Sequence, residues 1–166
     1  MTEDWVAVPM LGIGFGLLAT GEENRIIGRV FLAGLLSGEL VKDVIKECVT
    51  HEISYRPLNG DFTRKTVCGG FPSGHMTAVA FSTIYLGLTK GASWAIPVGM
   101  YAGFVAGMLI VCNYHYASQV VAGTGLGALY AVAAYKVARQ RLDDHWQLDA
   151  GVNAQGKPGL SVSYAF

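Results

Sequence analysis

A chain of 166 residues is one domain's worth, long enough to bury a continuous core. With 52% apolar residues, 14% charged and a positive mean hydropathy it is greasier than an ordinary soluble domain, and many of its 22 glycines lie in apolar runs, as in closely packed membrane bundles. The formal net charge of zero argues against a nucleic-acid partner, and Cys48, Cys68 and Cys112 show neither a CxxC nor a metal-ligand spacing, so no metal is expected.

The segment Trp5 to Ala19 is apolar but short for a full membrane span. The residues before it, Met1 to Asp4, are acidic instead of basic, so the sequence shows no cleavable targeting segment and leaves open one removed before this numbering begins. Gly21-Glu22-Glu23-Asn24 reads as a polar turn. From Arg25 to about Cys48, apolar residues including Ile26, Val30, Leu36, Leu40 and Val44 alternate with charged ones at helical spacing. Lys42 and Lys46 share one face of that amphipathic helix, one turn apart, either as a solvated helix end or as part of a site.

Thr50 to Gly70 is rich in polar residues and glycine and reads as a loop, long enough to be functional. Arg56, Arg64 and Lys65 would make it a positive wall around an anion, or leave it a solvated surface. Cys48 and Cys68 flank this connection, as buried free thiols or as a disulfide in an oxidising compartment.

Pro72 breaks the chain before Ser73, and Met76, Val79, Ala80 and Ile84 follow at helical spacing, so Ser73 is an expected helix N-cap. The free amides of Gly74 and His75 then suit an oxyanion, and a histidine fixed there can exchange a proton near neutral pH. Helices are predicted near 73–90, 94–112 and 117–140. Trp94 to Cys112 carries no charge, and Val120 to Ala138 only Lys136, each close to the ~20 apolar residues that a bilayer requires.

The expected fold is therefore all-α: an antiparallel, membrane-embedded bundle of about five helices that brings Lys46, His75 and His115 to one end. Arg25, Arg29, Lys90, Lys136, Arg139 and Arg141 gather at the other end, which the positive-inside rule makes cytoplasmic. Beyond Asp143-Asp144, two alternating stretches around Gly156-Lys157-Pro158-Gly159 predict a β-hairpin. The chain thus divides into a helical domain, 1–142, and a hairpin tail, 143–166, that would pack on the bundle, a partner protein or a second copy.

The order Lys46, Arg56-Pro57, Pro72-Ser73-Gly74-His75 and His115-Tyr116 followed by Val120, Ala122 and Gly123 resembles the type 2 phosphatidic acid phosphatase superfamily, which includes bacterial acid phosphatases and vanadium haloperoxidases. The likeness covers about residues 5 to 140. It implies a phosphatase acting on a lipid phosphate or diphosphate, with His115 as nucleophile and His75 as general acid. Lys46, Arg56, Ser73 and Gly74 would bind phosphate, with no metal or other cofactor. It also implies a bacterial inner membrane with the site facing the periplasm, or a soluble periplasmic bundle.

Three features depart from the family pattern. Nine residues separate Lys46 from Arg56, a longer spacing than the family's. The expected Ser-Arg pair is Met108-Leu109, for which Arg64 or Lys65 is the candidate replacement. The expected carboxylate is Gln119, which can orient His115 but brings no charge. Whether the chain is an active enzyme, or a binding or structural subunit of a larger assembly, therefore stays open at the level of sequence.

Overall fold

The computed structural model describes residues 6–49, 55–57, 69–152 and 158–164. Among the described residues are five helices: α1 (Ala7–Leu18), α2 (Gly21–Cys48), α3 (Gly74–Lys90), α4 (Ala92–Val111) and α5 (Ala117–His145). Two strands, β1 (Trp146–Val152) and β2 (Pro158–Tyr164), pair antiparallel with Leu148 opposite Val162 and Ala150 opposite Leu160.

Two boundaries differ from the sequence reading. The expected polar turn at Gly21–Asn24 is the first turn of α2, because Glu22 and Glu23 favour the positive end of a helix and Asn24 donates to the Thr20 hydroxyl at 3.1 Å. At the other end, α5 runs on through Asp143 and Asp144 to His145, so the helix extends past 140.

α3 is the axis of the bundle, packed by α5, α4 and α2. Met76, Val79, Ala80, Phe81, Tyr85 and Leu86 are all buried along it. Phe81 and Tyr85 stack at 5.5 Å, and both lie against Phe31 of α2, at 5.5 and 5.7 Å. The buried Tyr85 hydroxyl donates to the Ile27 carbonyl at 2.9 Å, so this large ring is accommodated without an orphaned polar atom.

Close approach of α5 to α3 requires glycine at two positions one turn apart. A Cβ on Gly123 would stand 2.3 Å from the Ser73 carbonyl oxygen, and one on Gly127 2.4 Å from that of Thr77. Any side chain there would push the start of α5 away from the start of α3. The two glycines thereby hold the segment after His115 against the turn that carries His75.

The outer helices turn apolar side chains outward. Val8 and Phe15 on α1, Leu36, Leu40 and Val44 on α2, Ile96, Met100, Phe104 and Val111 on α4, and Val121 and Leu129 on α5 are all exposed. Ala92–Val111 and Ala117–Asp144 are long and apolar enough to cross a membrane. Only 17% and 22% of their apolar windows are buried inside the bundle, which separates them from the core helices of a water-soluble protein. The pole away from the α3 N-terminus carries the ion pairs Arg25–Glu22 at 2.8 Å and Lys90–Glu23 at 3.7 Å.

Candidate active site

α3 opens at Gly74, directly after Ser73. Ser73 occupies the N-cap position, but its side chain makes no capping bond, contrary to the simplest reading of a serine there. Its carbonyl accepts from the Thr77 amide and the Thr77 hydroxyl, each at 3.0 Å, while its own Oγ is buried with no hydrogen-bond partner among the described residues. A buried hydroxyl left without a partner is costly, and at the amide-rich end of a helix it marks a place for an acceptor-rich ligand.

The imidazoles of His75 and His115 face each other there, with ring centroids 6.4 Å apart and planes at 72°. A reacting atom sits about 3–3.5 Å from its nucleophile, and a general acid lies within a hydrogen bond of the leaving oxygen. The two rings are thus within joint reach of one phosphorus centre. Their positions follow from different local devices. His75 is carried by the first turn of α3. His115 hangs on the turn between α4 and α5, where Asn113 takes a φ of +54°, a conformation that asparagine tolerates. The amides of Tyr114 and His115 both donate to the Leu109 carbonyl, at 2.9 and 3.0 Å.

Cations line the other side. Lys46, in the last turn of α2, runs past Gly69, its Cδ 3.9 Å from where a Cβ on that glycine would stand. Arg56 passes Gly70, where a Cβ would come within 3.0 Å of the arginine Cγ. The longer spacing between Lys46 and Arg56 therefore does not separate them: burial first, then the charges of Lys42 and Arg56, hold the Lys46 ammonium below its usual pKa. Crowded like charges of this kind favour an anion.

Lys42, which the sequence left between a solvated helix end and part of a site, is a neighbour of the site. Its Cδ and Nζ lie 2.7 and 3.3 Å from the position of a Cβ on Gly74, so its stem crosses the start of α3. It is tied there by ion pairs to Glu39 and, at 3.2 Å, to Asp43. Its spacing of one turn from Lys46 was the available signal; the approach to Gly74 depends on how α2 packs.

On the α4–α5 side the hollow is neutral. Leu109, at the position of the expected arginine, is 4% exposed and belongs to the apolar core, while Met108 is turned outward. Gln119 is fully buried, its Oε1 3.0 Å from His115 Nδ1. Burial lowers the His115 pKa to about 4; the Gln119 hydrogen bond opposes the shift, and the charges of Arg56, His75 and Lys46 add to it. His115 is thus a neutral imidazole at pH 7, the form that can attack. Arg64, Lys65 and Cys68 lie outside the described residues; Cys48 and Cys112 carry free thiols.

No match is found among the curated proteins or among the solved structures. The family model of the PAP2 superfamily matches residues 28–143, a stretch that contains Lys46, Arg56, Ser73, Gly74, His75, His115 and Gln119. That match spans more than half of the chain and takes in both imidazoles and the cationic wall beside them, and the chain belongs to the PAP2 superfamily.

Proposed function

We propose that the chain hydrolyses a lipid phosphate or diphosphate at a membrane surface. The observation that carries this reading is the pair of imidazoles 6.4 Å apart beside the buried, unpartnered Ser73 hydroxyl. The unprotonated ring nitrogen of His115 attacks phosphorus as the P–O ester bond breaks, and His75 delivers a proton to the leaving oxygen. Water, giving its proton to His75, then cleaves the phosphohistidine and releases phosphate. Lys46, Arg56, the Ser73 hydroxyl and the amides at the start of α3 compensate the charge on the equatorial oxygens.

The lipid assignment rests on the outward apolar belt and the two candidate spans. In this reading residues 1–142 are the membrane-embedded catalytic domain, with the site at the periplasmic face of a bacterial inner membrane. The opposite, arginine-rich pole is cytoplasmic. The hairpin of β1 and β2, in the tail 143–166, offers its strand edges to a protein partner or a second copy.

Leu109 favours a second reading, in which the hollow binds the phosphate group without turning it over as part of a larger assembly. Loss of one stabilising donor typically costs about 10²–10³-fold in rate. The two readings separate in an assay of the purified chain on an aryl phosphate and on phosphatidate, beside His115→Ala. Turnover abolished by the substitution supports the enzyme. No turnover in either chain, with phosphate still bound, supports the binding protein.

A further inference from the structure

Gln119 joins three segments of the site. Its Nε2 donates to the Tyr55 carbonyl at 2.7 Å, its Oε1 accepts from the Tyr116 amide at 3.2 Å, and its own backbone carbonyl accepts from the Ser73 amide at 3.1 Å. Gly70 leaves just enough space for this side chain: a Cβ there would stand 2.7 Å from Nε2 and 2.9 Å from Oε1. A backbone carbonyl can only accept and a backbone N–H can only donate, so the amide has a single orientation, with its oxygen toward His115. Facing that acceptor at 3.0 Å, His115 Nδ1 must carry the ring proton, which leaves the lone pair on Nε2.

We infer that Gln119 is a positioning residue with two simultaneous tasks, holding His115 in its Nδ1–H tautomer and tying the Tyr55–Arg56 segment to the start of α5. An ionised carboxylate could do the first but not the second, because it would set its lone pairs against the Tyr55 carbonyl and donate nothing to it. The amide is accordingly a different way of building the site, and restoring a carboxylate weakens oxyanion binding instead of improving it. The inference rests on the proposed reading of His115 and Arg56 as phosphate-handling residues.

The test compares the full chain with Gln119→Glu and Gln119→Leu, ring-15N-labelled at histidine, in mildly alkaline buffer that keeps the new carboxyl ionised. Three quantities are read: the His115 tautomer by NMR, the affinity for inorganic phosphate, and hydrogen exchange over 55–57. The expected wild type is the Nδ1–H tautomer. Gln119→Glu, which is isosteric, should keep that tautomer, bind phosphate about tenfold more weakly and exchange faster over 55–57. Gln119→Leu should lose the tautomer as well; if it does not fold, the isosteric variant carries the test. An Nε2–H tautomer in the wild type overturns the inference, as does a Gln119→Glu chain with unchanged affinity and exchange. A wild type that binds no phosphate defeats the functional reading instead, and the tautomer and the exchange rates still decide the role of Gln119.

Discussion

The two walls of the hollow are built from different physics. On the α2–α3 side, Lys46 and Arg56 crowd together beside helix amides and a hydroxyl with no partner. On the α4–α5 side, Leu109 has sunk into the core, Gln119 is neutral and His115 is desolvated into its uncharged form. One wall thus supplies charge and the other supplies a positioned neutral ring. The charged wall gathers like charges that favour an anion, whereas the neutral wall is held by its own hydrogen bonds.

The strongest way to break this comparison is to remove the ring itself: His115→Ala should lower turnover at least ~10⁴-fold while phosphate binding persists, measured by steady-state kinetics and by titration. Equal loss of binding would mean that the neutral wall also holds the anion. Next is Leu109→Arg, which restores the family residue. Because position 109 is core, the guanidinium would be buried, and the variant should lose about 3–5 kcal/mol in chemical denaturation instead of gaining activity. An active, stable variant would show that the position opens to the hollow.

Lys46→Met sharpens the electrostatic side. It should weaken phosphate binding about tenfold. Without ligand it should leave thermal stability unchanged or raise it, since a repelled cation has been removed. Gly123→Ala probes the backbone contact that joins the walls and should cost about 1–3 kcal/mol, because its Cβ would meet the Ser73 carbonyl oxygen at 2.3 Å.

A further effect is on pH dependence. His115 titrates near 4 in the folded chain against 6.5 for the free side chain, so the unfolded chain binds more protons between those values. Its contribution to stability is complete above about pH 6.5 and is lost as pH falls through about 4. If His115 attacks as proposed, the acid limb of kcat/KM should likewise lie near 4; a limb near 6.5 would show that the ring is solvated.

Much of the charged wall was legible in the sequence because Pro72-Ser73-Gly74-His75 encodes its own local structure: a break, a helix start and a ring on the first turn. His115 was legible as a motif residue, although its 6.4 Å approach to His75 depends on Gly123 and Gly127, which sequence marks only as small residues on a helix. Lys42 was placed on the correct face, but its contact with Gly74 follows from the packing of α2. Two partners of Gln119, the Tyr55 carbonyl and the Tyr116 amide, are backbone groups with no signature in residue identity. The Gly21–Asn24 segment was misread because its glycine and acidic residues suit a turn and a helix start equally.

The most direct test of the central claim is thermal unfolding of the purified chain in rising orthovanadate, a mimic of phosphate. The account predicts that the wild-type transition moves upward with concentration, as expected for a ligand bound to the folded state, and that Arg56→Ala abolishes most of the shift. A wild-type transition that stays fixed at saturating vanadate would contradict the claim that the cationic wall and the two imidazoles enclose a site for a tetrahedral anion.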